Sequence, residues 1–264
     1  MNALDFQSGT DITESLQSEI DRLAEAGGGE IRIPAGEYRF RPVRLRSRIC
    51  LRLEAGARLV ASGERADYYE VGYDHNEMGA VISCLYAFGE RDVTILGEGE
   101  IDLNAGAWYD MRDPAEMATV GPEVTAAHRA EASRAREWRV NQPIFFHQCE
   151  NVRVEGITVR NAPCWTFSFN ECRIVKMLNL TIENGLTIPN SDGMHFTCSS
   201  DILVSGCAIT AGDDCIALTG ITDWNKPCEN AVISNCVLRS ASKAISVGYM
   251  HSVVRNVVIE NVVI

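Results

Sequence analysis

With 264 residues, 46% of them hydrophobic, the chain exceeds the usual single-domain length but suits one large β-rich domain. Its formal net charge of −12 argues against a general nucleic-acid binder, which carries a basic surface, yet allows a cleft that is locally basic. No run of about 18 apolar residues occurs, so no membrane-spanning helix and no membrane partner are expected.

The start, "MNALDFQSGTDITESLQ", shows neither a basic nor an apolar leader region. A cytoplasmic protein is therefore expected, or a secreted one if a leader has been removed. The ten cysteines form no CxxC pair and no Cys/His ligand spacing. Many, such as Cys149, Cys172, Cys207, Cys215 and Cys236, lie in apolar runs, as buried free thiols do, and that favours a reducing compartment.

Residues 11–26 read as an amphipathic helix with Ile12, Leu16, Ile20 and Leu23 on one face. Asp11 and Glu14 have the spacing of a capping box, and Gly27–Gly29 stops the helix. The period then changes to two, in short strands such as "EIRIPAGEYRF", "ICLRLEAGARLV" and "DVTILGEGEIDL". Residues 111–139 break this pattern and read as an insertion, helical over "TAAHRAEASRAREW". As a flap, it would let Trp108, Tyr109 or Trp138 stack on sugar rings.

From residue 150 a unit recurs in "ENVRVEGITVRN", "CRIVKMLNLTIEN", "SDILVSGCAITA", "NAVISNCVLRS" and "SVVRNVVIENVVI". Gly156, Asn179, Gly206, Asn235 and Asn261 align at spacings of 23, 27, 29 and 26. One such unit cannot bury its apolar face alone, so stacked units must share a core. The expected fold is all-β: a single parallel β-helix over residues 1–264, with the 11–26 helix covering one open end.

Three carboxylates stand out among these apolar runs. Asp192 lies in "NSDG" (190–193), and Asp213 and Asp214 lie in "GDDCIAL" (212–218). The 21 residues from Asp192 to Asp213 are close to one coil, so the motifs can stack on one face. Converging carboxylates suit glycoside hydrolysis, where one must stay protonated and another ionised. They also suit a Ca²⁺ site. An isolated Asp-Gly is more simply a turn.

These two motifs resemble N-T-D-G and G-D-D-C-I-A of glycoside hydrolase family 28, the polygalacturonases and their relatives. "GGGEIRIPAGEY", "LRLEAGARLVAS", "VTILGEGEIDLNAGAW" and "NAPCWTFSF" extend the resemblance over nearly the whole chain outside the insertion. It implies a right-handed β-helix that hydrolyses α-glycosidic bonds with inversion, needs no metal or other cofactor, and binds a pectic carbohydrate. Asp213 would be the general acid, while Asp192 and Asp214 would hold and deprotonate the water. Asn190, Trp165, His195 and Lys243 are the candidate substrate-binding residues.

The chain departs from the family pattern where cations are expected. Lys243 in "ASKAISVG" stands where the G-H-G motif has histidine. Ser168 and Thr219 replace a histidine and a lysine common in bacterial members, and the final R-I-K motif is absent. The expected substrate is therefore displaced from plain polygalacturonate. Regular alternation would turn His195 away from Asp192. His251 could reach the groove rim, and Arg255 reads as a solvated strand-edge residue. The chain stops inside an apolar strand, so it is either a fragment or covered there by another copy in a homo-oligomer. Two other functions fit parts of the pattern. A β-helix lyase would use Lys243 as base, and a non-catalytic carbohydrate-binding β-helix would need none of the acids.

Overall fold

The computed structural model describes residues 6–110, 134–135 and 138–264. Helix α1, Thr13–Glu25, buries Leu16 and Ile20 against the first coil. Asp11 starts it by accepting from the Thr13 N–H (2.9 Å) and hydroxyl (2.6 Å). Glu14 closes no capping box and instead accepts from Arg41 at 2.9 Å. Gln17 extends the cover: its amide oxygen accepts from the Arg44 N–H (2.8 Å) and its NH₂ donates to the Arg44 carbonyl (3.1 Å). A side chain thus occupies backbone positions at the edge of the first coil that would otherwise pair with another strand.

Beyond α1 the chain winds into a right-handed parallel β-helix with three sheets of eight, seven and seven strands. One coil runs through Glu150–Glu155, Thr158–Arg160 and Phe167–Asn170, one strand in each sheet. The next runs through Arg173–Leu178, Thr181–Glu183 and Met194–Thr197. Inward positions stack like with like. Phe146, Phe169 and Phe196 form a parallel pile with centroids 5.2 and 5.1 Å apart.

From Glu150 onward the corner between the first and second sheets is a two-residue turn. Its first residue is Gly156, Asn179, Gly206, Asn235 or Asn261, all at φ between 50° and 77°. Strand register places these residues above one another at the offsets read from the sequence. Glycine and asparagine recur there because that left-handed conformation is costly for other residues. The second residue points inward: Ile157, Leu180, Cys207 and Cys236 are all buried. All ten cysteines are free and nine are buried, with Cys207 and Cys236 filling the same wedge as Ile157 and Leu180.

The corners on either side of the third sheet vary in length and carry the excursions. A hairpin of Glu70–His75 and Gly79–Ile82 folds over the outside of that sheet, packing Val81 and Tyr73 against Tyr86 and Phe145. Tyr109–Asp110 pairs antiparallel with Arg134–Ala135, which is extended where a helix was expected. The rest of the expected insertion lies outside the described residues, apart from Trp138 and Arg139. Trp108 and Tyr109 are buried, and Trp138 packs on Trp108 and Tyr68. None of these three aromatics lines the cleft described below, contrary to the stacking role expected of them. The last strand, Val254–Glu260, pairs on one side only and leaves Val258 and Ile259 exposed.

A second left-handed ladder runs along the first sheet through Asp92, Asn151, Ile174, Asp201, Asn230 and Asn256, at φ 55–59°. Asn151 donates to Asp92 (2.7 Å), Asn230 to Asp201 (3.2 Å) and Asn256 to Asn230 (3.0 Å). Ile174 interrupts this chain of amides and is β-branched in a conformation such residues avoid. Replacing it, Ile174→Asn, is expected to stabilise the fold by about 1 kcal/mol, as a higher midpoint in urea unfolding. An unchanged or lower midpoint contradicts this account of the ladder.

Candidate active site

The three aspartates lie in the turns that lead from the second sheet into the third. Strand register offsets the chain by 22 residues from the Met194–Thr197 strand to Ile216–Thr219, and by 29 more to Ile245–Val247. Continued two residues back, it sets Asp192, Asp214 and Lys243 one above another. The Gly193 N–H donates to the Asp214 carbonyl (2.9 Å) and the Cys215 N–H to the Lys243 carbonyl (3.0 Å). Asp214, rather than Asp213, therefore stacks on Asp192, and Asp213 stands beside them.

Both motif glycines are required by close approach. A Cβ on Gly193 would lie 2.5 Å from the Cys215 carbonyl oxygen, and one on Gly212 would lie 2.2 Å from that of Ile188. Ser191 ties the two motifs together. Its hydroxyl donates to the Ile188 carbonyl (2.8 Å) and accepts from the Gly212 N–H (3.0 Å).

Asp192, Asp213, Asp214, Asn190, Lys243, Trp165 and His195 all line one cleft of about 430 Å³. Asp192 is 3% exposed, and its Oδ1 has no hydrogen-bond partner among the described residues. Burial, then the charges of Asp213 and Asp214, push its carboxyl well above the ordinary 3.8. Burial and Asp213 also raise Asp214. Lys243, 3.5 Å away, partly offsets this, and the Ser242 hydroxyl donates to the same oxygen at 3.3 Å. Asn190 Nδ2 reaches toward Asp213 Oδ2 at 3.5 Å.

His195 turns toward Asp192, against the alternation expected of a regular strand, because the chain bends at Gly193. Its Nδ1 lies 3.2 Å from Asp192 Oδ2 and its Nε2 3.2 Å from the Thr219 hydroxyl. Burial lowers the imidazole to about 3, so the pair is a neutral hydrogen bond rather than an ion pair. The ring lies 3.7 Å from that of Trp165, which is itself buried and edge-on to His75. Trp165 thus forms part of the floor, largely beneath His195.

Two residues that sequence reasoning passed over belong to the neighbourhood. Arg139 braces the Asn190 loop, donating to the Asn190 side chain (3.0 Å), the Pro189 carbonyl (3.1 Å) and the Tyr109 hydroxyl. Glu77, at the tip of the 70–82 hairpin, forms one wall of the cleft. The alternation of Val71, Tyr73 and His75 before "NEMG" was the available sign of that hairpin. His251 does not reach the cleft but meets the Trp224 ring edge-on at 6.0 Å, and Arg255 pairs with Glu229 at 2.5 Å on the exposed last strand. Among the described residues, no group of three or more His, Cys, Asp or Glu side chains is spaced to hold a metal ion.

A family model described as glycosyl hydrolases family 28 matches residues 91–264. Polygalacturonase QRT2 of Arabidopsis thaliana is 27% identical over 128 residues, 48% of this chain and 26% of that protein. A polygalacturonase of Malus domestica is 24% identical over 215 residues, 80% of this chain and 41% of that protein. The crystal structure of an exopolygalacturonase from Thermotoga maritima superposes with a TM-score of 0.73 at 20% identity, covering 96% of this chain and 63% of that one. The chain thus spans less than half the length of these two curated relatives.

The folded protein holds the Asp192 proton more tightly than the unfolded chain does. Its stabilising contribution is complete below the ordinary value of 3.8 and is lost as pH rises through the elevated folded value. Asp192→Asn is therefore expected to raise the melting temperature at pH 7 by about 2 °C or more, with the gain disappearing near pH 3.8. A variant that melts lower than the parent at pH 7 overturns this.

Proposed function

The chain belongs to glycosyl hydrolases family 28, and on that membership and the acidic cleft we propose that it hydrolyses α-glycosidic bonds of a galacturonate-containing or related plant polysaccharide, with inversion. The observation that carries the reading is the stack of Asp192 and Asp214 with Asp213 beside them in a single cleft. Asp213 is the least buried of the three and protonates the glycosidic oxygen as that bond breaks. A water held between Asp192 and Asp214 attacks the anomeric carbon from the opposite side and yields its proton to Asp214. Asp214 is suited to be the base because the Lys243 ammonium lies 3.5 Å away. The uncommitted Asp192 Oδ1 provides an acceptor for the water.

The lyase reading draws less support. A base must be free to reach the substrate, and the Lys243 amine is paired with the Asp214 carboxylate at 3.5 Å. The non-catalytic reading leaves unexplained why a fold would bury a carboxyl with an unsatisfied oxygen. The ten free thiols support residence in a reducing compartment such as the cytoplasm.

End-product analysis on a panel of pectic and non-pectic oligosaccharides tests the reaction. Saturated products of inverted anomeric configuration are expected, with Asp213→Asn lowering kcat by about 10²–10⁴. An unsaturated uronide product, or full activity in Asp213→Asn, ends the hydrolase reading.

A further inference from the structure

Among the described residues that line the cleft, Glu77 is the one acid that the reaction above does not use. It stands on a wall that is built with some care. The His75 imidazole, buried and lowered to about 4 by burial, is a neutral ring whose Nδ1 accepts from the Glu77 N–H (3.2 Å) and the Met78 N–H (3.3 Å). Asn76 clamps the hairpin across the cleft mouth by donating to the carbonyls of Ile221 and Thr222, both at 2.9 Å. Asn141 grips the other side, donating to the carbonyls of Met78 (3.1 Å) and Ala80 (2.9 Å). Met78 packs into the cluster of Cys164, Trp165 and Ile221. The backbone that carries Glu77 is therefore fixed relative to the aspartates.

The carboxylate at its end has no cationic partner among the described residues. It borders the same cleft as Asp213, and burial, then that residue's charge, raise its carboxyl above the ordinary range. The cations nearby do not balance it. Arg139 does not line the cleft, and its two terminal nitrogens donate to Asn190, Pro189, Pro163 and Tyr109. Lys243, already beside Asp214, is the only Lys or Arg among the described residues that line the cleft. A sugar carboxylate bound beside Glu77 would be desolvated next to a like charge, with no free cation among the described residues that line the cleft to neutralise either.

We propose that Glu77 is a specificity-determining residue that excludes a free sugar carboxylate from the subsite it faces, so that this subsite takes an uncharged sugar unit. The inference rests on the glycosidase reading for the identity of the ligand. Hydroxyl groups suit this wall, because a carboxylate accepts their hydrogen bonds, and an esterified or neutral ring keeps those hydroxyls while lacking the opposing charge. Discrimination arises by rejection of the wrong partner rather than by an added grip on the right one.

A matched pair of probes isolates the charge: galacturonate oligosaccharides as free acid and as methyl ester. The wild-type ratio of kcat/KM, ester over acid, is expected to exceed about tenfold at low salt and to shrink at high salt. The ratio should fall at least about fivefold in Glu77→Gln and further in Glu77→Lys, because each step removes or reverses the opposing charge. A wild-type ratio near one, or a ratio unmoved by both substitutions, overturns the proposal. Loss of a merely structural side chain would change both substrates together and leave the ratio where it was. The same ratio, measured as binding of S-linked, uncleavable forms of the two probes by calorimetry, separates this inference from the reaction. If the wild type cleaves nothing, the hydrolase reading fails and the binding ratio decides for Glu77. Equal binding of the two forms, or no binding of either, counts against it.

Discussion

The whole molecule depends on the in-register parallel pairing of one coil with the next. Backbone hydrogen bonds across the three sheets fix which residue stands above which, and every side-chain pile follows from that register. The phenylalanine stack, the left-handed corners and the buried cysteine wedges are each a single position repeated up the helix. The acidic site uses the same ladder. The Gly193 and Cys215 amides donate upward to Asp214 and Lys243, and that places two carboxyls and an ammonium in one column.

Such a column is costly to the fold. Asp192 is buried, next to other carboxylates, with one oxygen lacking a partner among the described residues. A neutral histidine supplies a hydrogen bond but no charge, and Lys243 acts mainly on Asp214. The surrounding structure absorbs this through rigidity. Two glycines allow backbones to approach, Ser191 links the two motifs, and Arg139 secures the loop that begins at Pro189. A site that raises a buried carboxyl well above its ordinary range cannot also be fully compensated, so its neighbours must hold it in place.

Much of this was legible in the sequence because a solenoid repeats its rules. The turn residues Gly156, Asn179, Gly206, Asn235 and Asn261 gave the coil offsets directly, and the register agrees. The spacing of NSDG and GDD brought the three aspartates to one cleft. The details that escaped lie where the repeat stops. A bend at Gly193 reversed the expected facing of His195, and one residue of register moved the stacking partner of Asp192 from Asp213 to Asp214. Glu77 and Arg139 arrive from excursions outside the repeat, where no periodicity relates them to the site. Trp108 and Tyr109 were expected on a flap and are part of the core, since an aromatic ring in a linear sequence carries no sign of which side of the coil it will face.

The two-residue corner that recurs from Glu150 onward has a consequence for how such a molecule can change. That corner keeps one length through the repeated coils from Glu150 onward, while the two corners flanking the third sheet differ in length from coil to coil. A residue's height along the axis is then set by the spacing between strands, about 4.8 Å per coil. Its reach from the axis is set by the length of the loop that carries it. The two coordinates are independent. A lineage can therefore lengthen a loop to redraw the cleft wall, as the 70–82 hairpin does, while the separation between stacked acids stays fixed by the backbone itself.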